Sequence, residues 1–301
     1  MRNYPLNRRQ VVARCAACGA FSPLLDALLA TPAGAQVPGA STASRPEPRT
    51  VKFPDGTLVP ALGQGCWHLG EKHPLREEEE ALRTGISLGM TVIDTAENYG
   101  DGRSEQIIGR VIAGQRDRVF LVSKVEPENS RAIARACAAS LARLRTDYLD
   151  LYLLHAPVPG RQLPGVVAQF ERLRAAGMIR AWGVSNFDAG QMEDLFGVPD
   201  GNRCVTNQVA YSLGDRRIER EVLPWCVQHN VPVMAYSPLG GAGSPLLREP
   251  SLARIAAANG CSVAAVALAW VIRSGNVIAI PESGSVAHVR ENAVALTLRV
   301  T

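Results

Sequence analysis

Short apolar runs alternate with stretches in which apolar residues recur every three or four positions, and the alternation holds from residue 61 to residue 283. The runs read as strands: ALGQGCW (61–67), TVIDT (91–95), VFLVSK (119–124), YLDLYLLH (148–155), RAWGVSN (180–186), VTNQVAY (205–211), VPVMAYS (231–237) and NVIAIPES (276–283). The intervening stretches read as amphipathic helices. Over 131–144, for example, Ile133, Cys137, Leu141 and Leu144 share one face. The acidic run Glu77 to Glu80 reads as the solvated first turn of another helix, favoured there by the helix dipole, ahead of Leu82, Ile86 and Met90. Before the first strand, TVKFPDGTLVP pairs two short apolar runs around Asp55-Gly56 and predicts a hairpin.

Eight strands with helices between them over about 240 residues match the count and length of a (β/α)8 barrel, with the hairpin expected to close its bottom. A doubly wound sheet is the alternative, but no strand is followed by the G-x-G-x-x-G turn that such a fold uses to hold a dinucleotide.

Composition changes this picture mainly at the N-terminus. The chain has 301 residues, 47% hydrophobic and 20% charged, enough to bury a sizeable core. No charge-free apolar run reaches the roughly 18 residues that a membrane span needs. Residues 1–35 join the pair Arg8-Arg9 to an Ala, Leu and Val rich stretch ending in A-x-A at Ala33 and Ala35. That is the grammar of a twin-arginine export signal and predicts an exported, periplasmic protein; a cytoplasmic protein with an N-terminal extension is the alternative. Residues 36–49 have the Pro, Ser and Gly composition of a flexible linker, so the folded domain is expected over 50–301. The leader carries Arg2, Arg8, Arg9 and Arg14 against Asp26, which leaves 28 basic and 27 acidic residues elsewhere. A near-neutral body argues against a nucleic-acid surface. Cys15 and Cys18 form an isolated CxxC in the leader, and the other five cysteines are odd in number and widely spaced, so no disulfide framework is expected. No His, Cys or carboxylate cluster has metal-ligand spacing.

In a (β/α)8 barrel the chemistry sits at the C-terminal ends of the strands. The strands here end, in order from the second, at Asp94, Lys124, His155, Ser185-Asn186, Gln208, Tyr236-Ser237 and Ser283, and Tyr99 follows on the loop after the second. Singly, Lys124 has a plain reading as a surface charge, His155 as a hydrogen-bonded core histidine and Asp94 as a helix cap. Jointly those readings would need several polar residues to end apolar strands on one rim by coincidence. A carboxylate and an ammonium are tolerable in a core when they pair, and Asp94 and Lys124 lie on neighbouring strands. A lysine beside a tyrosine favours phenolate, so Lys124 is expected to lower the Tyr99 pKa from about 10 and make it a usable proton donor.

DTAENYGDG, SLARLRTDYLDLYLLH, WGVSNF and AYSPLG stand in that order, and by them the sequence resembles the aldo-keto reductase family over nearly all of residues 50–293. The resemblance implies reduction of aldehydes or ketones with a nicotinamide cofactor, NADP or NAD. It implies a catalytic tetrad of Asp94, Tyr99, Lys124 and His155, with Tyr99 as general acid and His155 orienting the substrate carbonyl. It further implies that Ser185, Asn186 and Gln208 hold the carboxamide, that Tyr236 stacks on the nicotinamide, and that Ser237, Leu239 and Gly240 meet the pyrophosphate, with Ser283, Arg290 and Asn292 also on the cofactor.

Three departures qualify this. In IPESGSVAHVREN the family's frequent lysine is Glu282 and its frequent arginine is His288; a glutamate repels a 2′-phosphate and suits a ribose hydroxyl, and Arg290 is the candidate to compensate. Ala156 replaces a frequent tryptophan of the substrate pocket, while Trp67 offers another wall, with plain barrel-end packing as its alternative reading. The chain stops at Thr301, where relatives usually continue into a closing loop, so an open pocket is expected. A monomer is expected. Two rival functions stay open: a non-catalytic nicotinamide-binding redox sensor for a partner protein, and a Schiff-base aldolase using Lys124.

Overall fold

The computed structural model describes residues 46–299 apart from Ala242. The export-signal reading of residues 1–35 and most of the linker reading lie outside the described residues. Strands β1 (Thr50–Lys52) and β2 (Leu58–Pro60) form the antiparallel hairpin, with Val51 opposite Val59. Its turn is fixed where the Asp55 carboxylate accepts the Thr57 N–H at 2.9 Å, the local side-chain bond that suits aspartate to turns. Phe53 packs its ring 5.6 Å from that of Phe120, at the N-terminal edge of the main sheet.

Eight parallel strands then follow in sequence order: β3 (Gln64–Gly65), β4 (Val92–Asp94), β5 (Phe120–Val125), β6 (Leu149–Leu154), β7 (Ile179–Ser185), β8 (Asn207–Ala210), β9 (Val233–Tyr236) and β10 (Val277–Ala279). Bridges Leu62↔Ala279 and Gly65↔Glu282 join the first to the last, so the sheet curls into a (β/α)8 barrel; the doubly wound alternative falls away. Strand β3 is shorter than the predicted 61–67. Its glycines serve close approach: a Cβ on Gly65 would lie 2.8 Å from the Ile280 carbonyl oxygen, so the first strand can press on the last only because it lacks side chains there.

Helices α1 (Leu75–Ser87), α2 (Arg103–Val111), α3 (Ile133–Leu144), α4 (Leu163–Ala175), α5 (Ala189–Phe196), α6 (Val222–Gln228), α7 (Pro250–Ala258), α8 (Val263–Val271) and α9 (Val286–Ala293) lie between and after these strands. The predicted apolar faces are buried: Leu82, Ile86 and Met90 in and after α1, and Ile133, Cys137, Leu141 and Leu144 in α3. A pair of helices, α7 and α8, rather than one, separates β9 from β10. No single helix among the described residues is long and apolar enough to cross a membrane.

The acidic run departs from its solvated reading. Glu77 and Glu80 are exposed, but Glu78 is buried, and its carboxylate accepts the backbone N–H groups of Gly70 and, at 3.2 Å, His73. Glu79 pairs with Arg110 at 2.9 Å. Glu78 therefore ties the loop after β3 to α1, at the rim where strand C-termini open.

Candidate active site

Lys124 is completely buried near the end of β5, and its position is set by saturation of its donors. The ammonium has three N–H groups, and they go to Asp94 Oδ2 at 2.7 Å, the Thr95 carbonyl at 2.8 Å and the Tyr99 hydroxyl at 3.1 Å. The other Asp94 oxygen accepts Gln208 Nε2 at 2.8 Å. Both charges are thus paired and hydrogen-bonded, the condition under which a core tolerates them. Burial works against the Lys124 ammonium, but Asp94 and Tyr99 together outweigh it, and its pKa is raised above the ordinary lysine value. An ammonium so held is a poor Schiff-base nucleophile, which disfavours the aldolase reading.

Tyr99 sits on the loop after β4 with its hydroxyl 3.5 Å from His155 Nε2 and their rings edge to face. Here the sequence expectation is corrected. Burial raises the Tyr99 pKa and outweighs the opposing charge of Lys124, so the phenol stands above its ordinary value rather than below it. The group keeps its proton across the neutral range and is a loaded donor. His155, just past the end of β6, faces the Glu126 carboxylate through Nδ1.

The next strands supply the far wall. Ser185 Oγ donates to the Gln208 carbonyl at 2.8 Å, Asn186 Nδ2 donates to the His155 carbonyl at 3.2 Å, and the Tyr236 hydroxyl donates to Asn186 Oδ1 at 2.9 Å. Asn186 (φ 62°) and Ser237 (φ 49°) both hold left-handed backbone where their strands end. Such conformations cost energy outside glycine and persist where surrounding bonds hold them, as these do at the cavity wall.

These side chains open onto a cavity of about 880 Å³, within the size range of small-molecule and cofactor sites. Asp94, Tyr99, His155, Ser185, Asn186, Gln208, Tyr236, Ser237, Leu239 and Ser283 line it, as does Trp67. Trp67 is 60% exposed, with its ring stacked on that of His68. Gly240 (φ 88°) shapes the turn, while Gly241, Gly243, Ser244 and Arg248 form the wall beyond it. Ala156, Arg290 and Asn292 are not on that wall: Arg290 is exposed on α9, and Asn292 is buried beside an adjoining crevice shared with Gln64 and Ser283. Glu282 is already engaged, accepting the His68 backbone N–H at 2.9 Å and facing His68 Nδ1 at 3.0 Å. It clasps the loop after β3 to the loop after β10.

Sequence reasoning missed Glu126, Glu78, Ser244 and Arg248. Glu126 had a signal, because it stands two residues after Lys124 and strand side chains alternate with period two. Cys66 also lines the cavity, but burial first, with nearby Asp94, pushes its thiol far above the ordinary range, so it is no nucleophile. Among the described residues no group of three or more His, Cys, Asp or Glu side chains is placed to hold a metal ion.

The aldo/keto reductase family model matches residues 61–301. Methylglyoxal reductase YeaE of Escherichia coli is 48% identical over 84% of this chain and 91% of its own length. An aldo-keto reductase of a Mycobacterium species is 34% identical over 80% and 85%. Among solved structures, an aldo/keto reductase from Klebsiella pneumoniae in complex with NADP and acetate superposes with a TM-score of 0.81, at 48% identity, over 84% of this chain and 92% of that one.

Proposed function

Because the chain belongs to the aldo/keto reductase family, we propose that the cluster around Lys124 carries out NADPH-dependent reduction of an aldehyde or ketone to an alcohol. The single observation that carries the assignment of residues is the Tyr99 hydroxyl, held between Lys124 Nζ at 3.1 Å and His155 Nε2 at 3.5 Å on a cavity wall. When bound, NADPH supplies the hydride that reaches the carbonyl carbon.

The chain's own residues do the rest. Tyr99 gives its proton to the carbonyl oxygen, and the phenolate left behind is stabilised by the Lys124 ammonium, which Asp94 keeps charged. His155 orients the oxygen from the opposite side. The walls suit the cofactor's parts: Tyr236 offers an aromatic face fixed through its hydroxyl, Asn186 and Ser185 offer polar groups at the strand ends, and Ser237, Ser244 and Arg248 offer donors for a phosphate. Gln208 is committed to Asp94, so its part is to hold the carboxylate as much as to meet a ligand. Glu282 runs against a 2′-phosphate and leaves room for NADH as a second cofactor, although NADP stands in the Klebsiella pneumoniae structure. The name of the Escherichia coli relative makes methylglyoxal, a small oxoaldehyde, the first substrate to try.

We further read residues 1–35 as a twin-arginine export signal and the enzyme as a periplasmic monomer, on the Arg8-Arg9 pair, the apolar stretch and the terminal A-x-A. Cell fractionation of the full chain beside an Arg8→Lys, Arg9→Lys variant tests this. Carbonyl-dependent oxidation of NADPH by the purified protein tests the activity; NADPH binding without turnover on any carbonyl would instead favour the sensor reading.

A further inference from the structure

The proton-donating side of the cavity contains a charged group that neither the tetrad nor the family likeness accounts for. Glu126 follows β5, two residues beyond Lys124, and its carboxylate meets His155 Nδ1. The carboxylate is itself placed from below. Glu97 Oε1 accepts the Glu126 backbone N–H at 2.7 Å and Asn129 Nδ2 at 2.8 Å, which pins the turn carrying Glu126 against the loop that carries Tyr99. The His155 backbone is pinned as well, its N–H bonded to the Val125 carbonyl at 2.9 Å and its carbonyl to Asn186 Nδ2 at 3.2 Å. The His155 side chain is 18% exposed and that of Glu126 25%, so the contact is sheltered without being sealed.

We propose that Glu126 is a positioning residue for carbonyl reduction, taking the Nδ1 proton of His155 and fixing the ring with Nε2 turned to the Tyr99 hydroxyl. This rests on the reading of Tyr99 and His155 as the reacting centre. A carboxylate only accepts, so the shared proton belongs to Nδ1, and a neutral ring then presents a bare lone pair at Nε2. Such a ring can accept from Tyr99 but cannot donate to a carbonyl. It donates from Nε2 only when that nitrogen carries a proton as well, and the Glu126 carboxylate at Nδ1 is the counter-charge placed to pair with the ring in that form. In that doubly protonated form the carbonyl oxygen meets two donors, Tyr99 O–H and His155 Nε2–H, where negative charge develops. The charged and titratable groups around the imidazole are Tyr99, with Lys124 and Asp94 behind it, on one side, and Glu126, with Glu97 behind it, on the other.

Glu126→Gln keeps an acceptor of the same shape and removes the charge. In the full chain it should lower kcat about 10-fold and leave NADPH affinity unchanged. Glu126→Asp should recover part of the loss. Nitrogen-15 spectra of the imidazoles should show Nδ1 of His155 protonated in the natural protein, and a proton divided between the two nitrogens in Glu126→Ala. A Glu126→Gln enzyme within about two-fold of the natural rate overturns the proposal, as do spectra placing a proton on Nε2 with none on Nδ1. Failure of the natural protein to reduce any carbonyl would instead count against the proposed function, and the spectra would still decide whether Glu126 sets the ring.

Discussion

The two sides of the cavity are built on opposite plans. On the reaction side, Asp94, Lys124, Tyr99 and His155 stand at or just beyond the ends of three adjacent strands, the first two nearly without exposure, and every donor of the ammonium is used. On the opposite side, the segment from Ser237 to Arg248 runs through Gly240, Gly241 and Gly243, all at positive φ, and the nearby Glu282–His68 clasp is partly exposed. The difference shows where each property resides. Chemistry needs fixed distances and sits on strands; selection among ligands needs adaptable contacts and sits on loops.

The sharpest way to break the contrast is to empty the saturated side. Lys124→Met would leave Asp94 buried beside Gln208 with no cation, which should cost about 3–5 kcal/mol of stability. Urea unfolding would read that loss, and turnover should vanish with it. An unfolding midpoint unchanged from the natural protein would mean that the pair does not hold the rim together.

The second test uses direction. Because burial raises the Tyr99 pKa, the phenol remains protonated from pH 6 to pH 9, and carbonyl reduction should be flat there as far as Tyr99 controls it. Alcohol oxidation needs the phenolate as base, so its rate should climb with pH, up to about tenfold per unit. Paired pH profiles in the two directions would check this, and an oxidation rate falling with pH would oppose it.

A smaller effect should come from the loop side. Glu282→Lys replaces the clasp with a cation at the cavity edge and should shift preference from NADH toward NADPH by about 10-fold, read by fluorescence titration with each. An unchanged ratio would mean that Glu282 only ties loops.

The same contrast decides what could be read from the chain. Asp94, Lys124 and His155 were legible because a polar residue ending an apolar run breaks a strong pattern at a place the barrel uses for chemistry. Glu78 was not, because its partners are backbone N–H groups of a loop, and no side-chain spacing announces those. Glu126 lay in reach through strand alternation, but its partner His155 is 29 residues away and only the fold brings them together. The Tyr99 shift came out reversed because the charge beside it was visible in sequence and the depth of its burial was not. Arg290 and Asn292 follow the motif yet stand off the main wall, since helix phase in α9 turns one outward and the other into the core.

Central to this account is that the hydroxyl between Lys124 and His155 is the proton donor. Steady-state NADPH oxidation by Tyr99→Phe, with cofactor affinity measured in parallel, tests it most directly. The variant should turn over at least about 100-fold more slowly than the natural enzyme while binding NADPH equally well. Turnover near the natural rate would contradict the account.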